Sequence, residues 1–161
     1  MLLRRARDHE HDAIGAVTVA AYTPFTQAAE VGYVDHLRDA ASRDRDAELW
    51  VAADEESGAV LGTVTLCPLG SPWREIGADD ESEFRMLAVD PAAQGRGVGS
   101  ALMDLVVRRA EEDGMAAIVL SSLAEMTAAH RIYTRQGFAR VPARDWSPVD
   151  GVDLLAFRKE L

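Results

Sequence analysis

The sequence contains a single cysteine, Cys67, among 161 residues. One cysteine forms no disulfide within the chain and builds no cysteine-based zinc site, which fits a reducing compartment. Long apolar runs are also missing, since none approaches the roughly 18 residues of a membrane-spanning helix. The first segment, MLLRRARDHEHD, becomes charged soon after Met1. We therefore expect a cytoplasmic protein with neither a signal peptide nor a transmembrane helix.

Positive charge is scarce as well. The 17 basic residues face 27 acidic ones, which gives a net charge of −10 at pH 7. Such a chain repels polyanions and offers no basic stripe, so we expect no nucleic-acid binding. The length and the 48% hydrophobic content predict one soluble domain that spans residues 1–161. Any anion that the domain binds must be held by local groups.

What the sequence does contain is a strand, a glycine loop and a helix in direct succession. Residues 84–89 are apolar except for Arg85 and predict a buried strand that ends at Pro91, and a loop with three glycines then leads into an amphipathic helix. Glycines let the main chain approach an anion closely, and the unpaired N–H groups at a helix start attract it. Arg96 adds a positive charge in this loop. The stretch therefore predicts a cradle for a phosphate or pyrophosphate group.

The spacing of the loop distinguishes between phosphate ligands. An ATP- or GTP-binding loop requires a lysine before Ser100, and the third glycine of a dinucleotide fingerprint would fall on Ser100 or Leu102. The residues present at 94–99, Gln-Gly-Arg-Gly-Val-Gly, closely resemble the acyl-CoA-binding signature of the GNAT superfamily of N-acetyltransferases. A second segment, from Tyr133 to Phe138, resembles the Y-x-x-x-G-F ending common in that family. The two motifs stand in the family's order, with a predicted strand between them.

The resemblance implies a single-domain α/β fold with a mixed, mostly antiparallel sheet of about seven strands and about four flanking helices. It also implies a central parallel pair of strands that splays apart at the acyl-CoA site, where main-chain groups bind pantetheine and polarise the thioester carbonyl. The donor would be acetyl-CoA, with its pyrophosphate in the glycine loop. The donor-binding residues are then Leu87, Ala88, Val89, Gln94, Gly95, Arg96, Gly97, Val98, Gly99 and Ser100.

Hydrophobic periodicity predicts the order of the remaining elements. They are a strand at 2–6, a helix from about residue 13, a second helix at about 27–43, a strand pair at 49–53 and 59–67, a strand at 116–120, a helix at 124–136 and strands at 138–141 and 152–158. The strand at 116–120 completes a βαβ unit, so we expect it to lie parallel and next to the central strand.

Acetyl transfer to an amine requires an acid for the leaving thiolate and a base for the ammonium group. The resemblance implies that Tyr133 donates its phenolic proton to the CoA sulfur. For the base we favour Glu83, because it begins the central strand on the same face as Leu87 if the strand is regular. Asp80, Glu81 or a chain of water molecules are alternatives.

The acceptor side is indicated by aromatic residues. The candidates for substrate binding are Tyr22, Phe25, Tyr33 and Trp73, although each fits an ordinary core position equally well. Trp73 lies in the polar segment 68–82, which is either a solvated loop or a substrate lid. His9 and His11 point apart at a helix start, so we expect no metal site.

One position departs from the family pattern. Many GNAT proteins carry an asparagine seven residues before the tyrosine, where it helps to fix pantetheine, and here that position is Met126. Ser121, Ser122 or Thr127 are candidate replacements.

The function implied is an N-acetyltransferase that moves an acetyl group from acetyl-CoA to the primary amine of a small molecule by direct attack in a ternary complex. A protein or peptide N-acetyltransferase and a non-catalytic acyl-CoA-binding sensor are the alternatives. We expect no membrane partner, and the resemblance allows a homodimer through the C-terminal strands.

Overall fold

A computed structural model describes residues 1–27 and 32–161. Its strands are β1 (Leu2–Arg5), β2 (Glu48–Ala53), β3 (Val60–Cys67), β4 (Glu81–Val89), β5 (Ala117–Leu123), β6 (Ala139–Arg140), β7 (Trp146–Val149) and β8 (Val152–Glu160). Its α-helices are α1 (His11–Tyr22), α2 (Tyr33–Arg38), α3 (Ala40–Asp46), α4 (Val98–Glu112) and α5 (Thr127–Arg135). Nowhere in the described ranges is there a helix with the length and apolar character needed to cross a membrane.

The strands form one mixed sheet in the order β1-β2-β3-β4-β5-β8-β6, with β7 paired to β8. The pair β4 and β5 is parallel, and the other recorded pairs are antiparallel. This confirms the expected α/β fold with a central parallel pair. The described chain has eight strands and five α-helices instead of about seven and four. The additional strand, β7, lies within the connection expected between the last two strands.

The second predicted helix is wrong as a single element. Asp39 leaves the helical conformation, with φ −74° and ψ 73°, so that α2 ends at Arg38 and α3 begins at Ala40. The carboxylate of Asp39 then caps α3 by accepting a hydrogen bond from the Ser42 amide at 3.0 Å. The first part of the predicted helix, including Val31, falls in residues 28–31, outside the described ranges.

Helices cover both faces of the sheet. One face packs against α4 and α5, and its core residues include Phe84, Leu87, Val98, Leu102, Val106, Ile118, Leu120, Tyr133, Phe138 and Phe157. The other face packs against α1, α2 and α3, and its core residues are Ile14, Val17, Leu37, Ala40, Leu49, Val51, Val60, Cys67, Trp73 and Met86. We call these the α4–α5 face and the α1–α3 face. Burial of both apolar surfaces is the main source of stability of such a layered fold.

A β-bulge interrupts β4 at Met86. This residue has a φ of 51°, which is rare for a residue other than glycine, and the pairing with β3 shifts between Thr63 and Thr65. The bulge reverses the alternation of side chains along the strand. Glu83 therefore belongs to the α1–α3 face, whereas Leu87 packs on the α4–α5 face. The expectation that Glu83 and Leu87 share a face is wrong, because it assumed a regular strand.

The parallel pair opens soon after it begins. β4 and β5 pair only from Glu81 to Glu83, opposite Ala117 to Val119. Beyond that point β4 pairs with β3 and β5 pairs with β8. The expected splay at Leu87 to Val89 is confirmed, and it starts earlier than predicted. The gap leaves the main-chain edge of β4 without a strand partner on this side.

Candidate active site

The glycine loop follows β4 and ends at the N-terminus of α4. The carboxylate of Asp90 accepts a hydrogen bond from the Ala92 amide at 2.9 Å and so fixes the turn at Pro91. Gly95 and Gly97 have φ values of +77° and +79°, a conformation that is strained for residues with a Cβ atom. The loop thus needs glycine at these two positions to enter the helix.

The end of this loop presents groups that attract an anion. The amides of Val98, Gly99 and Ser100 lie in the first turn of α4 and have no acceptor within the helix. They add to the positive end of the helix dipole. Arg96 precedes these residues in the loop; its side chain is 55% exposed, and its guanidinium lies 3.5 Å from the carboxylate of Asp54. An arriving polyanion would therefore compete with Asp54 for Arg96.

The predicted donor residues are brought together along one path. Leu87 to Val89 form the last part of the open edge of β4, and residues 94–100 follow directly at the helix start. A Cβ atom on Gly99 would lie 3.1 Å from Ile132 of α5, so glycine allows α5 to pack against the loop. This contact places the helix that carries Tyr133 beside the same path.

Tyr133 lies inside the α4–α5 face and is 4% exposed. Its ring lies 6.1 Å from those of Phe84 and Phe138 and 5.6 Å from that of Phe157. Burial raises the pKa of this phenol far above its ordinary value, the charge of Tyr22 raises it further, and the nearby hydroxyl of Ser122 opposes the shift. Tyr133 therefore keeps its proton at neutral pH.

Two serines near Tyr133 are engaged by protein groups. The Ser122 hydroxyl lies 3.1 Å from Nε2 of His130, and the Ser121 hydroxyl accepts a hydrogen bond from Nε1 of Trp146 at 3.0 Å. Burial lowers the pKa of His130, so the imidazole is neutral near pH 7. Met126 stands immediately before α5 and makes no side-chain capping hydrogen bond. The contact that an asparagine would make is not reproduced by Met126.

Three of the four predicted acceptor residues meet on the α1–α3 face. Trp73 is buried together with Met86, and Tyr22 and Tyr33 pack against them. Phe25 is half-buried in the turn after α1 and is not part of this cluster in the described ranges. We call the cluster around Tyr22, Tyr33, Trp73 and Met86 the acceptor chamber. It includes Met86 at the bulge of β4, where β4 no longer pairs with β5.

An ion pair that the sequence did not reveal borders the acceptor chamber. Nε of Arg85 lies 2.8 Å from Oε1 of Glu75, and the guanidinium lies 5.6 Å from the centre of the Trp73 ring. Burial raises the pKa of Glu75, and the charge of Arg85 opposes that shift. The only signal in the sequence for this pair was an arginine within an otherwise apolar strand, preceded by an acidic residue in the loop before that strand.

Glu83, the favoured base, has a different environment from the one expected. It is 1% exposed, and its carboxylate accepts hydrogen bonds from the amides of Glu75, Ile76 and Gly77 at 3.0, 3.3 and 2.9 Å. A Cβ atom on Gly77 would lie 2.9 Å from Oε2 of Glu83, so glycine permits this approach. The carboxylate anchors the loop that follows Trp73.

Glu81 and Asp80, the alternatives to Glu83 as the base, also have defined surroundings. Glu81 accepts hydrogen bonds from Arg144 and Arg158 at 2.8 and 2.7 Å. The hydrogen bond from Arg144 is the largest of the effects that lower the pKa of Glu81 to about 2, which makes it a weak base. Asp80 is exposed, and its main-chain oxygen accepts from the Ala116 amide at 2.8 Å.

Arg43 is a buried charge that the sequence gave no reason to expect. It is 0% exposed and donates hydrogen bonds to the hydroxyls of Thr65 and Thr18 at 3.2 and 3.1 Å, and to the carbonyl of Leu37 at 3.2 Å. Burial lowers its pKa to about 10. The side chain ties α1, α2 and α3 to β3 beneath the acceptor chamber.

The N-terminal histidines have separate surroundings. His11 lies 2.9 Å from Asp44, and the possible ligand atoms of Asp8, His11 and Asp44 lie within 4.8 Å of one another. The sequence suggested a solvated turn here and did not predict this meeting. Arg5 also lies 3.2 Å from Asp44, so the group forms an ion-pair network between β1, α1 and α3.

Sequence comparison places these features in a family. The model of the Acetyltransferase (GNAT) family matches residues 10–138. A mycothiol acetyltransferase of Nocardia farcinica is 37% identical over 101 residues, which cover 59% of this chain and 32% of that protein. One of Cellulomonas flavigena is 33% identical over 132 residues, which cover 70% of this chain and 36% of that protein. The chain thus spans about a third of the length of these curated relatives.

Solved structures share the fold over nearly the whole chain. A GNAT acetyltransferase of Staphylococcus aureus Mu50 superposes with a TM-score of 0.77 at 16% identity and covers 99% of this chain and 98% of that one. The PaiA N-acetyltransferase of Thermoplasma acidophilum, solved with coenzyme A, gives 0.72 at 14% identity with 99% and 98% coverage. YncA of Salmonella typhimurium, solved with acetyl-CoA, gives 0.68 at 22% identity with 100% and 94% coverage.

Proposed function

This chain belongs to the GNAT family of acetyltransferases, and we propose that it is an N-acetyltransferase that transfers the acetyl group of acetyl-CoA to the primary amine of a small molecule. The observation that carries the proposal is the continuous path from the glycine loop, along the open edge of β4, to Tyr133. Family membership and two similar folds solved with coenzyme A or acetyl-CoA support it. The proposed catalytic unit is the single domain of residues 1–161.

In this proposal each part of acetyl-CoA binds to a different segment along the glycine loop and the open edge of β4. The amides of residues 94–100, with Arg96, hold the pyrophosphate, because a helix start attracts phosphate through its N–H groups and its dipole. The main chain of Leu87, Ala88 and Val89 binds pantetheine and donates to the thioester oxygen, which polarises the carbonyl. The acyl carbon then lies in the gap between β4 and β5, next to the acceptor chamber.

The reaction follows from this arrangement as a direct transfer. An ammonium group loses one proton to a base, and the neutral nitrogen attacks the acyl carbon. A C–N bond forms, the C–S bond breaks, and the nitrogen loses its second proton. Tyr133 protonates the leaving thiolate and is itself reprotonated, so the net reaction releases one proton to solvent. Its phenol is protonated at neutral pH and therefore has a proton to give when the thiolate develops.

The base is the second catalytic assignment. We keep Glu83 as the residue on which deprotonation of the acceptor ammonium depends. It would act either as the base itself or by holding the loop of residues 75–77 in place. A base is needed because an amine with an ordinary pKa near 10 is about one part in a thousand neutral at pH 7.

In this proposal Tyr22, Tyr33 and Trp73 of the acceptor chamber would contact a small acceptor, and Phe25, which lies outside this cluster, stays a predicted contact. In this proposal these rings and the loop that Glu83 anchors would bound the acceptor on one side. The curated relatives named mycothiol acetyltransferase also support a small-molecule acceptor. A homodimer through the C-terminal strands stays a prediction.

The test is a binding and turnover experiment on the purified chain. Titration with acetyl-CoA by calorimetry should give saturable heat that CoA competes away, and a panel of primary amines should release CoA thiol. Binding without turnover of any amine, peptide substrates included, would favour the sensor alternative. No heat and no thermal shift with acetyl-CoA would refute the donor site itself.

A further inference from the structure

Glu83 and Glu75 are coupled through three consecutive main-chain amides. The Glu83 carboxylate accepts from the amides of Glu75, Ile76 and Gly77, and the Glu75 amide lies 3.0 and 3.1 Å from its two oxygens. A carboxylate has about four lone-pair directions, and these contacts occupy both oxygens. The group is also 1% exposed. Glu83 therefore has little capacity left to receive a proton from an amine.

The same hydrogen bonds fix the backbone from which the Glu75 side chain projects. That side chain is 19% exposed and pairs with Arg85 at 2.8 Å, and the guanidinium of Arg85 lies 5.6 Å from the centre of the Trp73 ring in the acceptor chamber. Its charge acts on the phenol of Tyr33, a predicted substrate contact, and on the thiol of Cys67. Glu75 is thus the carboxylate that borders the space where the acceptor would bind.

The position of Glu75 relative to the bulge completes the geometry. Arg85, its partner, immediately precedes Met86, where β4 bulges and the opening between β4 and β5 is already present. A side chain that contacts Arg85 is therefore next to the part of β4 that does not pair with β5 and that would hold the thioester. An amine bound to Glu75 would lie beside this opening between β4 and β5.

We infer that Glu75 is the residue that accepts the proton of the acceptor ammonium, and that Glu83 is a positioning residue that holds Glu75 in place through the loop amides. This inference rests on the proposed function. The ammonium N–H bond breaks, its proton moves to a carboxylate oxygen of Glu75, and the nitrogen lone pair becomes free to attack the acyl carbon. Glu75 then releases the proton to solvent.

The charges around Glu75 are compatible with this role. Arg85 on β4 lowers its pKa, while burial and the negative charge of Glu83 raise it, and the net shift is upward. Cys67 at the end of β3 and Tyr33 on α2 face it as neutral groups, because the pKa of each is raised. A carboxylate with a raised pKa is a better proton acceptor than a solvated one.

The experiment compares Glu75→Gln, Glu75→Asp and Glu83→Gln with the wild type, with Asp79→Asn as the matched control. Asp79 is an exposed acidic residue of the same loop. We measure kcat and KM for an amine substrate from pH 6 to pH 10. Glu75→Gln should lower kcat about 100-fold near pH 7, and its rate should then rise about tenfold per pH unit until the free amine is neutral. Glu75→Asp should restore part of the rate, and Asp79→Asn should match the wild type.

Glu83→Gln should lower kcat less than Glu75→Gln and retain a base-dependent pH profile. If Glu75→Gln keeps the wild-type rate and profile, the inference is wrong. If instead Glu83→Gln shows the loss and the steep profile while Glu75→Gln does not, Glu83 is itself the base. If the wild type turns over no amine although acetyl-CoA binds, the proposed function fails, which is a distinct result.

A second measurement does not depend on turnover. The ¹³C-carboxyl resonance of Glu75, assigned by its loss in Glu75→Gln, should titrate above the ordinary range for glutamate in the wild type. In Glu83→Gln it should return towards that range, because the loop is released. A Glu75 resonance that titrates normally in both proteins would refute the coupling, and thermal melts show whether each variant is folded.

Discussion

The charge of Tyr22 raises the pKa of Tyr133, although the helices that carry these two residues cover opposite faces of the sheet. Layers packed on a continuous sheet are about 10 Å from it on either side, which would keep two such groups far apart. The sheet is not continuous at this point, because β4 and β5 pair only as far as Glu83. In the proposed function, a nucleophile on the α1–α3 face would reach through this opening a thioester whose sulfur would lie beside Tyr133.

Tyr133→Phe tests the acid. The variant should lower kcat at least about 100-fold, because a positioned general acid contributes roughly that much. The dissociation constant of acetyl-CoA should stay within about twofold, since the ring and its aromatic neighbours remain. CoA release under saturating substrates measures the first quantity and calorimetry the second. An unchanged rate and pH dependence would remove Tyr133 from the mechanism.

Gly97→Ala tests the cradle, with Gly114→Ala as its control at the other end of α4. Both glycines have positive φ, +79° and +68°, and a Cβ atom at either would meet no atom within 4 Å. Each variant should therefore lose a similar free energy of unfolding, about 1–2 kcal/mol. Only Gly97→Ala should weaken acetyl-CoA binding, by about tenfold, because it displaces amides that face the phosphate. Equal affinities in the two variants would contradict the cradle.

Arg96→Gln tests the charge in the loop. The side chain is largely solvent-exposed beside Asp54, so its attraction for a pyrophosphate is modest and screened by salt. We expect about fivefold weaker binding of CoA at low ionic strength and about twofold at 0.5 M salt. Arg135→Gln, at the exposed end of α5, should leave binding unchanged. An effect that does not depend on salt would indicate a role other than charge.

Glu81→Gln tests the ion pairs beneath the loop. The pKa of Glu81 is lowered to about 2 in the folded protein, mainly by Arg144. A lowered carboxylate pKa contributes stability that is fully present above the unfolded value near 4.5 and is lost as the pH falls from there towards 2. The variant should lose about 3 kcal/mol of unfolding free energy at pH 7 and almost none near pH 2.

Denaturant unfolding at several pH values measures this difference. Glu111→Gln, an exposed position on α4, should show no such pH dependence. If Glu81→Gln loses the same unfolding free energy at pH 7 and at pH 2, the ion pairs of Glu81 with Arg144 and Arg158 are not the source of that loss.

The sequence by itself determined the elements that depend on neighbouring residues. The order of glycines at 95, 97 and 99, the strand before them and the helix after them follow from local rules of backbone freedom and apolar spacing. Together with the segment that contains Tyr133, they were sufficient to identify the family and the fold, and the matched family model confirmed it. The number of helices could not be predicted exactly, because Asp39 interrupts an otherwise continuous helical pattern.

Only the tertiary structure decided which side chains meet. The bulge at Met86 depends on the pairing of β4 with β3, and a shift of one residue moves Glu83 away from the face of Leu87. The amides of residues 75–77 donate hydrogen bonds to the Glu83 carboxylate and thereby join a loop to a strand. The buried side chain of Arg43 donates to Thr65 and so joins α3 to β3, which are distant in the chain. Hydrogen bonds of this kind leave no periodic trace in a sequence, because they depend on register and on loop shape rather than on spacing.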